Sequence, residues 1–96
     1  MKPSDVFETH RMEIREIIGR NRAENARVFG SVLHRQDTET SDLDLLVDPT
    51  SETTLLDIAK IKNQLQILLG ISVDVLTPKA LPEKFRKHVL MEAIPV

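Results

Sequence analysis

The stretch Ser41-Asp42-Leu43-Asp44-Leu45-Leu46-Val47 constrains this chain more than any other. Its period is two, the period of a β-strand, in which successive side chains point to opposite faces. Asp42 and Asp44 therefore project to one side, and Leu43, Leu45 and Val47 to the other. Two adjacent carboxylates repel each other at neutral pH, and a hard divalent cation relieves that repulsion. Magnesium commonly binds through one or two carboxylates together with substrate phosphates. Upstream, Gly30-Ser31 closes a short apolar run. A turn of that composition offers backbone N–H groups and a hydroxyl to phosphate oxygens. The pairing points to a metal-and-nucleotide site on a small α/β core.

The rest of the chain is compatible with such a core and leaves little room beyond it. Ninety-six residues with 41% hydrophobic and 29% charged side chains are expected to form one domain, residues 1–96. A second, substrate-binding domain does not fit in this length. If the chain acts on something large, part of the acceptor site comes from another chain. A formal net charge of -2, three Phe and no Trp or Tyr argue against nucleic acid as a direct ligand, since neither a basic footprint nor stacking platforms are evident. The lack of Tyr excludes self-modification on tyrosine. The lack of Cys excludes disulfides, a thiol nucleophile and a zinc-thiolate site. No run approaches membrane-spanning length and no apolar signal segment is evident, so a cytoplasmic setting is the expectation.

Read in order, the chain alternates helical and extended patterns. Ser4 is the expected N-cap of a helix whose apolar face is Phe7, Ile14, Ile17 and Ile18, with Gly19 and Asn21 as its stop. Ala26 to Phe29 reads as the first strand, Ser31 to Gln36 as a helical turn, and Asp37 to Ser41 as a polar loop. Leu43 to Val47 is the second strand, ended by Asp48-Pro49. A long helix follows one of the N-cap candidates between Thr50 and Thr53. Leu55, Leu56, Ile58, Ala59, Ile61, Leu65, Leu68 and Leu69 fit its 3.6-residue period, and Gly70 ends it. Ile71 to Leu76 is the third strand, and Pro82 opens a last helix. The expected class is α/β (α+β): a small mixed sheet of three or so strands flanked by about four helices.

Asp74 gains its interest from this frame. It lies in a strand whose other face carries Val73 and Val75. If that strand pairs with the second, Asp74 joins Asp42 and Asp44. Three carboxylates suffice for two magnesium ions, one on the nucleotide phosphates and one on an acceptor hydroxyl poised for in-line attack at the α-phosphorus. Asp74 is then the candidate general base or second-metal ligand.

The ordered set Phe29-Gly30-Ser31-Val32, Ser41-Asp42-Leu43-Asp44-Leu45-Leu46-Val47 and Val73-Asp74-Val75-Leu76 resembles the nucleotidyltransferase superfamily of the DNA polymerase beta type, and within it the minimal nucleotidyltransferase (MNT) domains. The resemblance spans essentially the whole chain. It implies a nucleotidyltransferase fold, magnesium (two ions), and ATP as substrate. By position it implies that Gly30 and Ser31 bind the triphosphate, and that Asp42, Asp44 and Asp74 are both catalytic and metal-binding. Many such domains are encoded beside an all-helical HEPN toxin. The resemblance therefore implies the antitoxin of a type VII-like HEPN/MNT toxin–antitoxin pair, a protein adenylyltransferase that forms a hetero-oligomer with its toxin and attaches AMP to a tyrosine of it. The missing substrate domain and missing tyrosine agree with that. One departure stands out. Relatives often carry Gly-Ser-x-Ala-Arg-Gly, whereas this chain reads Gly30-Ser31-Val32-Leu33-His34-Arg35. His34 occupies the usual arginine position and Arg35 replaces a glycine, which makes Arg35 the candidate for the phosphate-binding charge.

Two other functions fit the same residues. One is an antitoxin that neutralises its toxin by binding alone. The other is a nucleotidyltransferase acting on a small molecule or an RNA end. His10 and His88 read as helix-side residues, and Lys84, Arg86 and Lys87 as a solvated basic face.

Overall fold

The structure is a computed structural model that describes residues 1–96. Its organising strand is β2 (Leu43–Pro49), whose Leu43, Leu45 and Val47 are fully buried. β2 pairs antiparallel with β1 (Ala23–Phe29) and parallel with β3 (Val73–Leu76). A short β4 (Ile94–Pro95) pairs antiparallel with the far side of β1, giving a four-stranded mixed sheet in the order β3-β2-β1-β4. Five α-helices accompany it. Three of them are α1 (Pro3–Thr9), α2 (Arg11–Arg20) and the short α3 (Gly30–Leu33); the others are α4 (Leu55–Leu69) and α5 (Glu83–Glu92). A 3-10 turn, Pro78–Ala80, links β3 to α5. None of the helices is long and apolar enough to cross a membrane.

The sheet differs from the sequence expectation at several places: β2 runs on to Pro49, β3 begins at Val73 rather than Ile71, and β1 and β4 differ for local reasons. β1 begins at Ala23 rather than Ala26. Its register shifts between Glu24 and Arg27, and Asn25 sits at φ +51°. That bulge returns Ala23 and Glu24 to pairing with Pro49 and Asp48. Asn tolerates the left-handed conformation, so a stretch of low β propensity still completes the strand. β4 was not anticipated. It is only two residues long and contains a proline, which an edge position accommodates. Side chains of α2 hold the chain there: Arg11 Nη2 donates to the Pro95 carbonyl at 2.9 Å and Arg15 Nη1 to that of Val96 at 3.1 Å.

The expected first helix is two helices. The break falls at His10, which has φ -120° and ψ 20° and closes α1 while opening α2. Ser4 is not the N-cap. Pro3 occupies the first turn, where its missing N–H is harmless, so Lys2 becomes the cap residue. The Ser4 N–H instead donates to Asp37 Oδ2 at 2.8 Å, and Asp37, expected in a polar loop, is buried. Burial alone raises the Asp37 carboxyl, but the Ser4 hydrogen bonds, its own backbone and Lys2 together hold it below the ordinary carboxylate range.

α4 forms where its apolar period places it, but its N-cap is Thr54, one residue past the Thr50–Thr53 candidates. Thr54 and Asp57 form a reciprocal capping box, and Gly70 ends the helix at φ +67°. Asp57 also accepts from Arg22 Nη1 at 3.1 Å. The buried stripe is Ile61, Leu65 and Leu69. It is narrower than the apolar list, for Leu55 is 89% exposed and Leu56, Ile67 and Leu68 are exposed as well. A 17-residue core joins these helices to the Leu43, Leu45, Val47, Val73 and Val75 face of the sheet. On the opposite face Leu46 is buried too, and so is Leu81 at the end of the 3-10 turn. α5 buries none of its residues.

Candidate active site

The parallel pairing of β2 with β3 does most of the assembly. Its register runs Leu43↔Val73, Asp44↔Asp74, Leu45↔Val75. Opposed residues in register share a face, so Asp44 and Asp74 stand side by side, away from the main core. Asp42 lies two residues before Asp44 and projects to the same side. On the other flank of β2, Phe29 is opposite Asp44. The chain then turns through Gly30 at φ +74° into α3. A Cβ built on Gly30 would overlap Asp44 Oδ2. The backbone of the Gly30-Ser31 bend thus lies directly against the second carboxylate, a close approach at a positive φ that only glycine meets without strain.

Electrostatics report the same convergence. The Asp44 carboxyl is pushed up from 3.8 to about 6, first by burial, then by Asp74, then by Asp42. The negative charge is thus uncompensated within the chain around Asp44. Asp42 is exposed and Asp74 half-exposed, so the cluster opens to solvent. No group of three Asp, Glu or His side chains is drawn close enough together to hold a metal ion by itself. An open row of carboxylates beside a bend that lacks a side chain at Gly30 does fit a cation that takes its remaining ligands from water and phosphate, as magnesium does. One basic group is paired with the row: Lys62 Nζ lies 3.8 Å from Asp74 Oδ1.

A family profile described as "Polymerase beta, Nucleotidyltransferase" matches residues 12–96. The chain belongs to this nucleotidyltransferase family. It is 33% identical over 89 residues to the protein adenylyltransferase MntA of Thermococcus cleftensis, covering 93% of this chain and 87% of the relative. A solved structure described as a minimal nucleotidyltransferase superposes with a TM-score of 0.86 at 40% identity, covering 97% of this chain and 95% of the other. A chain from a crystal structure of a toxin–antitoxin with AMP-PNP shares the fold at a TM-score of 0.71 and 14% identity, covering 97% and 71%.

Within this nucleotidyltransferase the two residues that depart from the family pattern are turned elsewhere. Arg35 sits at φ +53°, a left-handed conformation that glycine adopts without strain. Its ion-pair partner is Glu8 of α1, with Nη2 3.8 Å from Oε1, rather than any of the three acids. His34 Nε2 lies 3.1 Å from Glu92 Oε2, while Glu92 Oε1 lies 3.2 Å from His88 Nε2. One carboxylate at the end of α5 therefore joins two imidazoles and ties that helix to the end of α3. The pairing of His88 with Glu92 was open to inference from their i,i+4 spacing. Those of His34 with Glu92 and Lys62 with Asp74 cross between distant elements and leave no local trace.

Proposed function

We propose that this nucleotidyltransferase moves AMP from ATP onto a hydroxyl of a partner toxin, a tyrosine of an all-helical HEPN protein, and so acts as its antitoxin in the cytoplasm. The observation that carries the proposal is the in-register placement of Asp44 beside Asp74, with Gly30 packed on Asp44. Support for the partner comes from the MntA relative named a protein adenylyltransferase and from the toxin–antitoxin chain that shares the fold.

Asp42, Asp44 and Asp74 would hold two magnesium ions. Bound magnesium would neutralise phosphate charge and lower the pKa of the attacking hydroxyl. The chain's own part is positional. The Gly30-Ser31 bend, with no Cβ at Gly30, receives the triphosphate beside Asp44. Asp74, on the open edge strand, faces the acceptor and takes the hydroxyl proton. The acceptor oxygen bonds to the α-phosphorus, the bond to the β-phosphate oxygen breaks, and pyrophosphate leaves. Arg35 would assist at the phosphates only by leaving Glu8, a rearrangement its exposure permits.

The test mixes the purified chain with the partner encoded beside it, ATP and magnesium, and weighs both proteins. The expected outcome is an AMP increment on the partner and none on this chain, which lacks tyrosine. Asp42→Asn and Asp44→Asn abolish it. A second reading, neutralisation by binding alone, is favoured by the exposed Leu55, Leu56, Ile67, Phe85 and Met91. Full neutralisation by both variants with the partner's mass unchanged would establish it instead.

A further inference from the structure

The three acids form one ion pair among them, and it comes from the opposite side of the sheet. α4 packs on the Val73 and Val75 face, while Asp74 points away from that face. β3 is the edge strand, so a side chain of α4 reaches Asp74 only by passing around that edge. Lys62 does so, and Gln66, one helical turn further on, bonds the backbone of that edge. Gln66 Oε1 accepts from the Val73 N–H at 3.1 Å, which takes up a backbone donor at the start of the edge strand. Lys62, four residues earlier, brings its ammonium to 3.8 Å from Asp74 Oδ1. Gln66 thus fixes the register in which Lys62 meets the carboxylate. Asp42 and Asp44 have no such partner, and both halves of the Lys62–Asp74 pair are about half-exposed.

We propose that Lys62 is the resident counter-ion of Asp74 and makes the acid cluster selective for a divalent cation carried on a triphosphate over the free ion. The proposal rests on the reading of Asp42, Asp44 and Asp74 as metal ligands. A bare dication approaching Asp74 meets an ammonium already at one carboxylate oxygen and is repelled by it. A metal–triphosphate complex carries net negative charge, and the same ammonium attracts it. Lys62 therefore opposes loading of the site before nucleotide arrives and favours loading with it. The residue acts on the reaction through Asp74 and the incoming charge; it is a positioning residue.

The test measures binding of Mn2+ alone, and of Mn2+ with AMP-PNP, to the intact chain by electron paramagnetic resonance of the free ion. Lys62→Gln is expected to tighten binding of Mn2+ alone by about three- to tenfold at low ionic strength and to weaken binding of the Mn2+–AMP-PNP complex. Lys62→Arg keeps the parent's preference. Unaltered melting temperatures in both variants separate this from a folding defect. A Lys62→Gln variant that shifts both affinities equally, or neither, overturns the proposal while leaving the acid cluster as a metal site. A parent chain that takes up no Mn2+ in either form overturns both.

Discussion

Gly30, the first residue of α3, packs its backbone directly against the Asp44 carboxylate of β2. At Gly30 a side chain would meet both a positive φ and the Asp44 carboxylate. Gly30→Ala is expected to lower the unfolding free energy by about 1–2 kcal/mol and to abolish AMP transfer, because Asp44 must swing away. Gly19, inside α2 with nothing near its missing Cβ, is the control. Gly19→Ala is expected to stabilise by about 0.5–1 kcal/mol and to leave transfer intact. Urea titrations of the two variants check this. Asp44 itself carries a stability cost. Its carboxyl titrates near 6 in the folded chain against 3.8 ordinarily, so the unfolded chain releases the proton first as pH rises. Stability from this group is therefore highest below pH 4 and falls as pH rises to about 6. In metal-free buffer Asp44→Asn is expected to be more stable than the parent above pH 6, by on the order of 1 kcal/mol after solvent screening. The gap closes toward pH 4.

Elements show where local pattern decides and where distance does. β2 and α4 were legible because each carries its own complete signal. For β2 that signal is the alternation of Leu43 and Leu45 with Asp42 and Asp44; for α4 it is an apolar stripe ended by a glycine. The break at His10, the bulge at Asn25 and the two-residue β4 were not, since each is settled by what packs or pairs with it. The placing of Asp74 beside Asp44 was legible from the face each occupies on its strand. Lys62 was hidden because it reaches its partner around a sheet edge. Asp37 belongs to the same class, a loop residue that serves the start of α1. Asp37→Ala is expected to cost about 1 kcal/mol in urea denaturation. The folded carboxyl is held below its ordinary range. Its contribution is therefore present at neutral pH and lost as pH falls through and below the usual carboxylate titration. α5, which buries nothing, is expected to exchange its amide hydrogens fastest of the long helices in the isolated chain and to slow markedly when the partner is bound.

For the whole molecule, the acid row is a site of stored repulsion that a bound cation would relieve. Millimolar magnesium is expected to raise the melting temperature of the parent, since a ligand that binds only the folded chain stabilises it by mass action. EDTA reverses the gain, and Asp42→Asn combined with Asp44→Asn removes it. Calorimetry with and without the metal measures all three. The molecule tolerates the repulsion because its core lies on the other side of the same sheet.

The Asp44–Asp74 spacing depends on the hydrogen-bonded ladder between two strands, and no mobile loop sets it. If the two acids bind a metal ion, their backbone is already ordered for it and little affinity would be lost in bringing the strands together. Random changes in the polar segment between α3 and β2 should then alter how tightly nucleotide is gripped far more than how fast its phosphorus reacts. A library confined to residues 38–40 would separate grip from speed.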